Sequence, residues 1–290
     1  MNLAVALRLG RVSNLPTVWS NVMTGMALAG VASVDARLPI LLVSLSLFYV
    51  GGMFLNDAFD HNFDARARPE RPIPSGQVSA TQVHAFGFGM MGLGLALLAW
   101  VGYGFDPMAQ WRPVVAGIAL AAAIVFYNWH HKNNPLSPFV MGLCRMLVYV
   151  AAGYAVSLAL PASLWIAAIV LLCYLIGLTY AAKKEHLGTM ENFWPLLFLA
   201  APVLYGAWLA IDHPATWILV VALLAWCVFA VRLLRRRKPG DVPRAVISLI
   251  AGISLLDAIL LAGHGQIAFA ALAVAAFVVT LVLQRWITGT

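Results

Sequence analysis

The sequence predicts an all-α protein, a polytopic bundle of nine or ten transmembrane helices around a central cavity, forming one domain over residues 1–290. Three observations point there. First, 62% of the 290 residues are hydrophobic and only 10% are charged, against about 25% charged in an ordinary soluble domain. A soluble chain this apolar would not cover its own surface. Second, the apolar residues divide into ten stretches, each near the roughly 20 residues that a bilayer core demands. Third, the basic residues alternate in side. With the N-terminus inside, Arg37 and Arg112 fall outside and Arg145 within a span, which leaves 15 of the 18 Lys and Arg on the inner face. The positive-inside rule makes that face cytoplasmic, in a protein expected in the plasma membrane. The net charge of +7 then reflects topology and attraction to anionic lipid, and no nucleic-acid partner is implied.

The expected spans, in order, are 15–34, 38–57, 81–104, 112–129, 138–159, 162–182, 192–211, 214–233, 243–262 and 266–286. Arg8 and Arg11 precede the first, which is long and lacks a small-residue cleavage pattern, so it is expected to stay as a helix rather than be cleaved as a signal peptide. Cys144, Cys173 and Cys227 lie within apolar spans, far apart in sequence. They read as small buried hydrophobes rather than metal ligands.

The polar chemistry collects in inner loops. At the end of the second span the chain reads Asn56-Asp57-Ala-Phe-Asp60-His-Asn-Phe-Asp64. In a helix, residues three and four apart share a face, so Asn56, Asp57, Asp60 and Asp64 line up together. Stacked carboxylates repel, and beside a membrane they need a compensating cation. Oxygen donors at this density suit Mg²⁺, which takes one or two carboxylates along with phosphate oxygens and water. The loop continues with Arg66, Arg68 and Arg71, stiffened by Pro69, Pro72 and Pro74. Guanidiniums match phosphate oxygens bidentately, so carboxylates and arginines together suit a pyrophosphate. A loop after the fourth span carries Tyr127, His130, His131 and Lys132. Adjacent histidines on a helix point about 100° apart, which makes them poor joint ligands; an interfacial role is expected. Lys132 is a candidate phosphate contact. A loop after the sixth span holds Tyr180, Lys183, Lys184, Glu185 and Glu191. The block Arg235-Arg236-Arg237-Lys238 has no interleaved acid and reads as a topology anchor. Asp257 and Arg145 are polar residues within spans, expected in the cavity.

Asn56-Asp57-x-x-Asp60-x-x-x-Asp64, followed by Arg68-Pro-x-Arg71-Pro-Ile-Pro-Ser-Gly76, resembles the first aspartate-rich motif of the UbiA superfamily of intramembrane prenyltransferases. The likeness extends to topology, with polar inner loops after the second, fourth and sixth helices. It implies transfer of a prenyl group from an isoprenyl diphosphate to a lipophilic acceptor, aromatic or hydroxylated, with Mg²⁺ as cofactor. It also implies nine helices, against the ten stretches counted. Carried over, Asn56, Asp57, Asp60, Asp64 and Glu185 are implied as metal ligands. Arg68, Arg71, Tyr127, Lys132, Tyr180 and Lys183 are implied as diphosphate contacts, and Asp60, Asp64 and Lys183 as the catalytic set. The family's second motif has two aspartates four apart before a glycine. Aligned on Gly188, this chain has Ala181 and Glu185 there, so half of that site is missing. The same residues also admit an ion-coupled transporter using the aspartates as a cation site, or a lipid-binding scaffold without catalysis.

Overall fold

Prolines in the first turn, where an absent N–H costs nothing, open several of the long helices: Pro16, Pro39, Pro113 and Pro138. The computed structural model describes residues 1–105, 109–132, 134–183 and 194–287. The described elements are all helical. In order they are α1 (Leu3–Leu9), a 3-10 turn (Val12–Asn14), α2 (Leu15–Leu28), α3 (Leu38–Phe59), α4 (His61–Ala67), α5 (Ala80–Gly104), α6 (Arg112–His130), α7 (Ser137–Tyr154), α8 (Ala162–Lys183), a second 3-10 segment (Trp194–Leu199), α9 (Ala200–Asp212), α10 (Thr216–Arg236), α11 (Asp241–Ala262) and α12 (Ile267–Leu283).

Each of the ten expected stretches holds a helix. Among the described residues, eight helical spans are long and apolar enough to cross a membrane. The other two differ from expectation in length. α2 has 14 residues and stops at Leu28, because the chain turns at Gly30, where φ is +111°. α12 has 17 residues. The protein is an integral membrane protein.

Packing builds two smaller apolar cores and two large ones. One joins α7, α8, α10 and α11 around Leu164, Leu171, Tyr174, Leu223 and Leu256. The other joins α2, α3, α5, α6 and α7 around Val22, Leu45, Phe48, Leu98 and Leu120. α11 is the most enclosed span, with 89% of its 18-residue apolar stretch buried, as expected of a helix apolar on most sides. α3 and α5 cross closely because Gly51 faces Gly87: a Cβ added at Gly51 would lie 2.7 Å from the Gly87 carbonyl oxygen. Small residues let membrane helices approach in this way.

Between the two cores, α2, α7 and α11 share a polar seam. Asn21 Nδ2 donates to Asp257 Oδ2 at 2.8 Å, and the Tyr149 hydroxyl donates to the other carboxylate oxygen. Arg145 donates to Asn21 Oδ1 at 2.9 Å and to Thr17 Oγ1 at 3.1 Å. Arg145 and Asp257, expected in one cavity, therefore belong to one network but are bridged by Asn21. A buried charge is tolerated only when its hydrogen bonds are met in this way.

Three contacts between helix ends agree with the expected alternation. The N-terminal end of α2 meets the C-terminal ends of α3 and α12 through Arg11 with Asn56 and Gln284 with Asn14. At the opposite end, Arg37 donates to the Ala155 carbonyl. At the α10–α11 turn, Arg236 makes a two-pronged pair with Asp241, at 2.8 and 2.7 Å, across the tight turn at Arg237 and Gly240.

Candidate active site

The acid-rich run sits where α3 ends. Asp60 lies at the joint between α3 and α4, yet the helical hydrogen-bond pattern passes through it. The Asp60 amide donates to Asn56 at 3.0 Å, that of Asp64 to Asp60 at 2.9 Å, and that of Arg68 to Asp64 at 2.8 Å. The four-residue spacing therefore keeps Asn56, Asp60 and Asp64 on one side of a nearly continuous helix, as their spacing requires.

Cationic side chains from three segments converge on these acids. Arg71, from the loop after α4, bridges two of them, with Nη1 at 2.8 Å from Asp64 Oδ2 and 3.3 Å from Asp57 Oδ1. Arg11 lies 3.4 Å from Asp57 Oδ1 and 3.3 Å from Asn56 Oδ1. Lys132 Nζ is 2.8 Å from Asp60 Oδ1, and His131 Nε2 is 3.5 Å from Asp60 Oδ2. Burial pushes the Asp60 carboxyl up, but the hydrogen bonds and charges of His131 and Lys132 outweigh it and hold Asp60 below the usual carboxylate range. Asp64, only 2% exposed, has Arg71 as its close cation.

Asn128 fixes the approach of α6 to α3. Its Nδ2 donates to the Gly52 carbonyl at 3.0 Å, while its Oδ1 accepts from Asn56 Nδ2 at 3.1 Å. Gly52 leaves the room: a Cβ there would meet Ile124 at 3.0 Å. Asn56 is thus held with its amide nitrogen on α6 and its oxygen toward Arg11.

Three participants were not expected from the sequence. Asn128 lies four residues before Lys132, a spacing that offered a signal; Arg11 read as a topology residue, and only the fold brings it to Asp57. His131, expected at the membrane interface, instead faces Asp60 and stacks on Tyr127 with ring centroids 5.0 Å apart. His130 is exposed and packs beside Phe126 and Trp129, so the two histidines do diverge. Tyr127 reaches the site through His131. Lys132 also lies over the Phe63 ring, 3.8 Å from its centroid. Arg68 caps α4 and Tyr180 is half-buried near the end of α8. Lys183 donates to the Asn134 carbonyl and to Ser137 Oγ, both at 2.7 Å, tying α8 to the start of α7. Lys184, Glu185, Gly188 and Glu191, the region of the second motif, lie outside the described residues. Ala181 is fully buried in the core of α8.

Among the described residues, no three His, Cys, Asp or Glu side chains converge as a closed metal site. The donors are hard oxygens, largely buried and paired with Arg11, Arg71 and Lys132. That set fits Mg²⁺, which uses few protein carboxylates and completes its shell with phosphate oxygens and water.

The helical membrane bundle and this mouth of acids and cations define a class, the intramembrane prenyl transferases. The sequence matches the model of the UbiA prenyltransferase family over residues 17–253, and the chain belongs to that family. A digeranylgeranylglyceryl phosphate synthase of Methanopyrus kandleri is 28% identical over 75% of this chain and 76% of its own length. The chloroplastic chlorophyll synthase of Avena sativa is 27% identical over 72% of this chain and 55% of its own. Among solved structures, one of digeranylgeranylglyceryl phosphate synthase superposes with a TM-score of 0.62 at 19% identity, covering 92% of this chain and 99% of that one. A UbiA homologue from Archaeoglobus fulgidus bound to GPP and Mg²⁺ gives 0.55 at 14% identity, covering 91% and 99%. A structure of the same homologue carries Mg²⁺ with DMAPP, and nothing in these likenesses supports a transporter.

Proposed function

We propose that this chain transfers a prenyl group from an isoprenyl diphosphate to an aromatic or hydroxylated lipophilic acceptor, at a cytoplasmic mouth of a plasma-membrane bundle. The observation that carries this reading is the meeting of Asn56, Asp57, Asp60 and Asp64 with Arg11, Arg71 and Lys132 at one end of the helices. Acids alone would suit a cation, and cations alone a phosphate; the two together suit a metal diphosphate.

Asn56, Asp57, Asp60 and Asp64 are the residues that would hold Mg²⁺. Bound there, it supplies positive charge against the diphosphate leaving group. Arg68, Arg71, Lys132 and Lys183 are the residues proposed to contact diphosphate oxygens, with Tyr127 and Tyr180, a reading that rests on the family motif and, for Arg71 and Lys132, on their pairing with the acids. Arg71 pairs with Asp57 and Asp64, and Lys132 with Asp60; beside a metal held by these acids, the two cations would be the nearest protein charges for diphosphate oxygens. Stabilised in this way, the diphosphate leaves with the electron pair of the allylic C–O bond. The acceptor's nucleophilic atom then bonds to the allylic carbon and gives up its proton. The charge asymmetry of the loops supports the cytoplasmic placement.

Mass spectrometry of lipids from a host expressing the chain, compared with a host expressing Asp60→Ala, tests the reading. A prenylated product present only with the unaltered chain supports it and identifies the acceptor. Identical lipid profiles, with both proteins folded in the membrane and donor present, refute it.

A further inference from the structure

We infer that a cleft between the ends of α10, α11 and α12, separate from the acid-rich mouth, binds the headgroup of an anionic phospholipid. The cleft has a volume of about 480 Å³, and its lining includes Trp226, Phe229, Arg244, Ser248, Gln284 and Arg285. Its walls are mainly apolar and aromatic, with two arginines and no acidic residue. That is the profile of a groove that takes an amphiphile whose polar end is negative.

The two arginines differ from their neighbours. Arg11, Arg37, Arg71, Lys132 and Arg236 each meet a carboxylate. Among the described residues, no carboxylate lies within ion-pair distance of Arg244 or Arg285. Arg244 lies 5.7 Å from the Phe229 ring centroid, stacked against an aromatic face rather than paired with an acid. Both side chains are exposed. The other polar groups of the cleft are already engaged: Trp226 Nε1 donates to the Ser248 carbonyl at 2.7 Å, and Ser248 Oγ donates to the Arg244 carbonyl at 2.7 Å. The guanidiniums are therefore the donors left for a ligand. Basic pockets between membrane helices at the headgroup level are suited to acidic lipid headgroups.

The cleft also communicates with the N-terminal segment. Gln284 Nε2 donates to Asn14 Oδ1 at 3.0 Å and to the Ile247 carbonyl at 3.2 Å. Asn14 lies three residues after Arg11, the partner of Asn56 and Asp57. A lipid seated against α12 would thus brace the segment that carries Arg11.

The test is native mass spectrometry of the full chain in a non-ionic detergent, titrated with phosphatidylglycerol or phosphatidylcholine. The unaltered protein and Arg232→Ala, a basic residue outside the cleft, are expected to prefer phosphatidylglycerol by roughly tenfold or more. The double variant Arg244→Ala/Arg285→Ala is expected to lose the preference. If the double variant unfolds, the exposed Arg285→Gln is read alone, with the preference falling severalfold. Equal binding of the two lipids by the unaltered protein overturns the inference, as does a preference unchanged in these variants. Soluble glycerol phosphate binding as tightly as phosphatidylglycerol also overturns it, because the site would then be one for free phosphate.

Discussion

Replacing Arg71 with Met removes the one side chain that touches both Asp57 and Asp64. The methionine keeps much of the aliphatic bulk, so the loss is mainly of charge and hydrogen bonds. Asp64 is 2% exposed and Asp57 is 8% exposed, so neither regains full hydration. Arg11, at 3.4 Å, remains near Asp57, whereas Asp64 loses its closest cation. Removing one partner of a buried pair typically costs 3–5 kcal/mol; with the Arg71 side chain itself 17% exposed, about 3 kcal/mol is the reasonable figure. For a chain of this size that corresponds to a fall in the unfolding midpoint of roughly 6 °C. The assay is thermal unfolding in detergent without divalent metal, then with Mg²⁺ and an isoprenyl diphosphate. Since the bare acids are metal ligands in this account, Mg²⁺ should recover more than half of the deficit in the variant while raising the unaltered protein less. A midpoint unchanged by the substitution, or a deficit that Mg²⁺ leaves untouched, would refute the reasoning that Arg71 stands in for the metal's charge.

The depressed Asp60 carboxyl has a definite consequence for acid stability. A group with a lowered folded pKa contributes stability above its unfolded value, about 3.9, and loses it as pH falls through the folded one. Its contribution should therefore persist to about pH 4 and fade below, and Lys132→Ala should move that loss to higher pH in unfolding measurements across an acid series. Asn128→Ala should break the tie between Asn56 and the Gly52 carbonyl, weakening Mg²⁺-diphosphate binding about tenfold with a smaller effect on stability, read by calorimetric titration. Gly51→Val should drive a side chain into the Gly87 carbonyl oxygen and lower stability by about 2 kcal/mol or more without altering the mouth's residues, read from detergent unfolding. Asp257→Leu should leave Asn21 Nδ2 and the Tyr149 hydroxyl without their shared acceptor and the buried Arg145 without its nearby acid, costing about 3 kcal/mol by the same measure.

Much of this protein was legible in its sequence because the bilayer simplifies the code. Helix positions follow from runs of apolar residues, and each of the ten stretches holds a helix. The lengths of α2 and α12 were not legible, since apolar loop residues after Leu28 look the same as helical ones. The acid run was legible because a four-residue spacing survives the joint at Asp60. Its partners were only partly so. Arg71 and Lys132 are near in sequence or carry a polar loop with them, but Arg11 is 46 residues from Asp57 and reaches it only because α2 and α3 pack together. Asn128 resembled any polar residue at a helix end until Gly52 and Asn56 were seen beside it. The divergence of adjacent helical residues points His131 to the interface; its ring lies between Tyr127 and Asp60 because α6 ends against the α3–α4 joint. The Arg145–Asn21–Asp257 chain shows the same limit: two intramembrane charges were visible, the neutral residue linking them was not.

The central claim is that the acids at 56–64 hold a metal diphosphate from which a prenyl group departs. Its most direct measurement is Mg²⁺-dependent diphosphate release from geranyl diphosphate by the protein in lipid nanodiscs containing host lipid extract, alongside Asp60→Ala and Asp64→Ala. The account predicts release by the unaltered protein, abolished by chelating Mg²⁺ and lowered by at least about 10²-fold in each variant, with unfolding midpoints showing both variants folded. Release at the unaltered rate in either variant would contradict it.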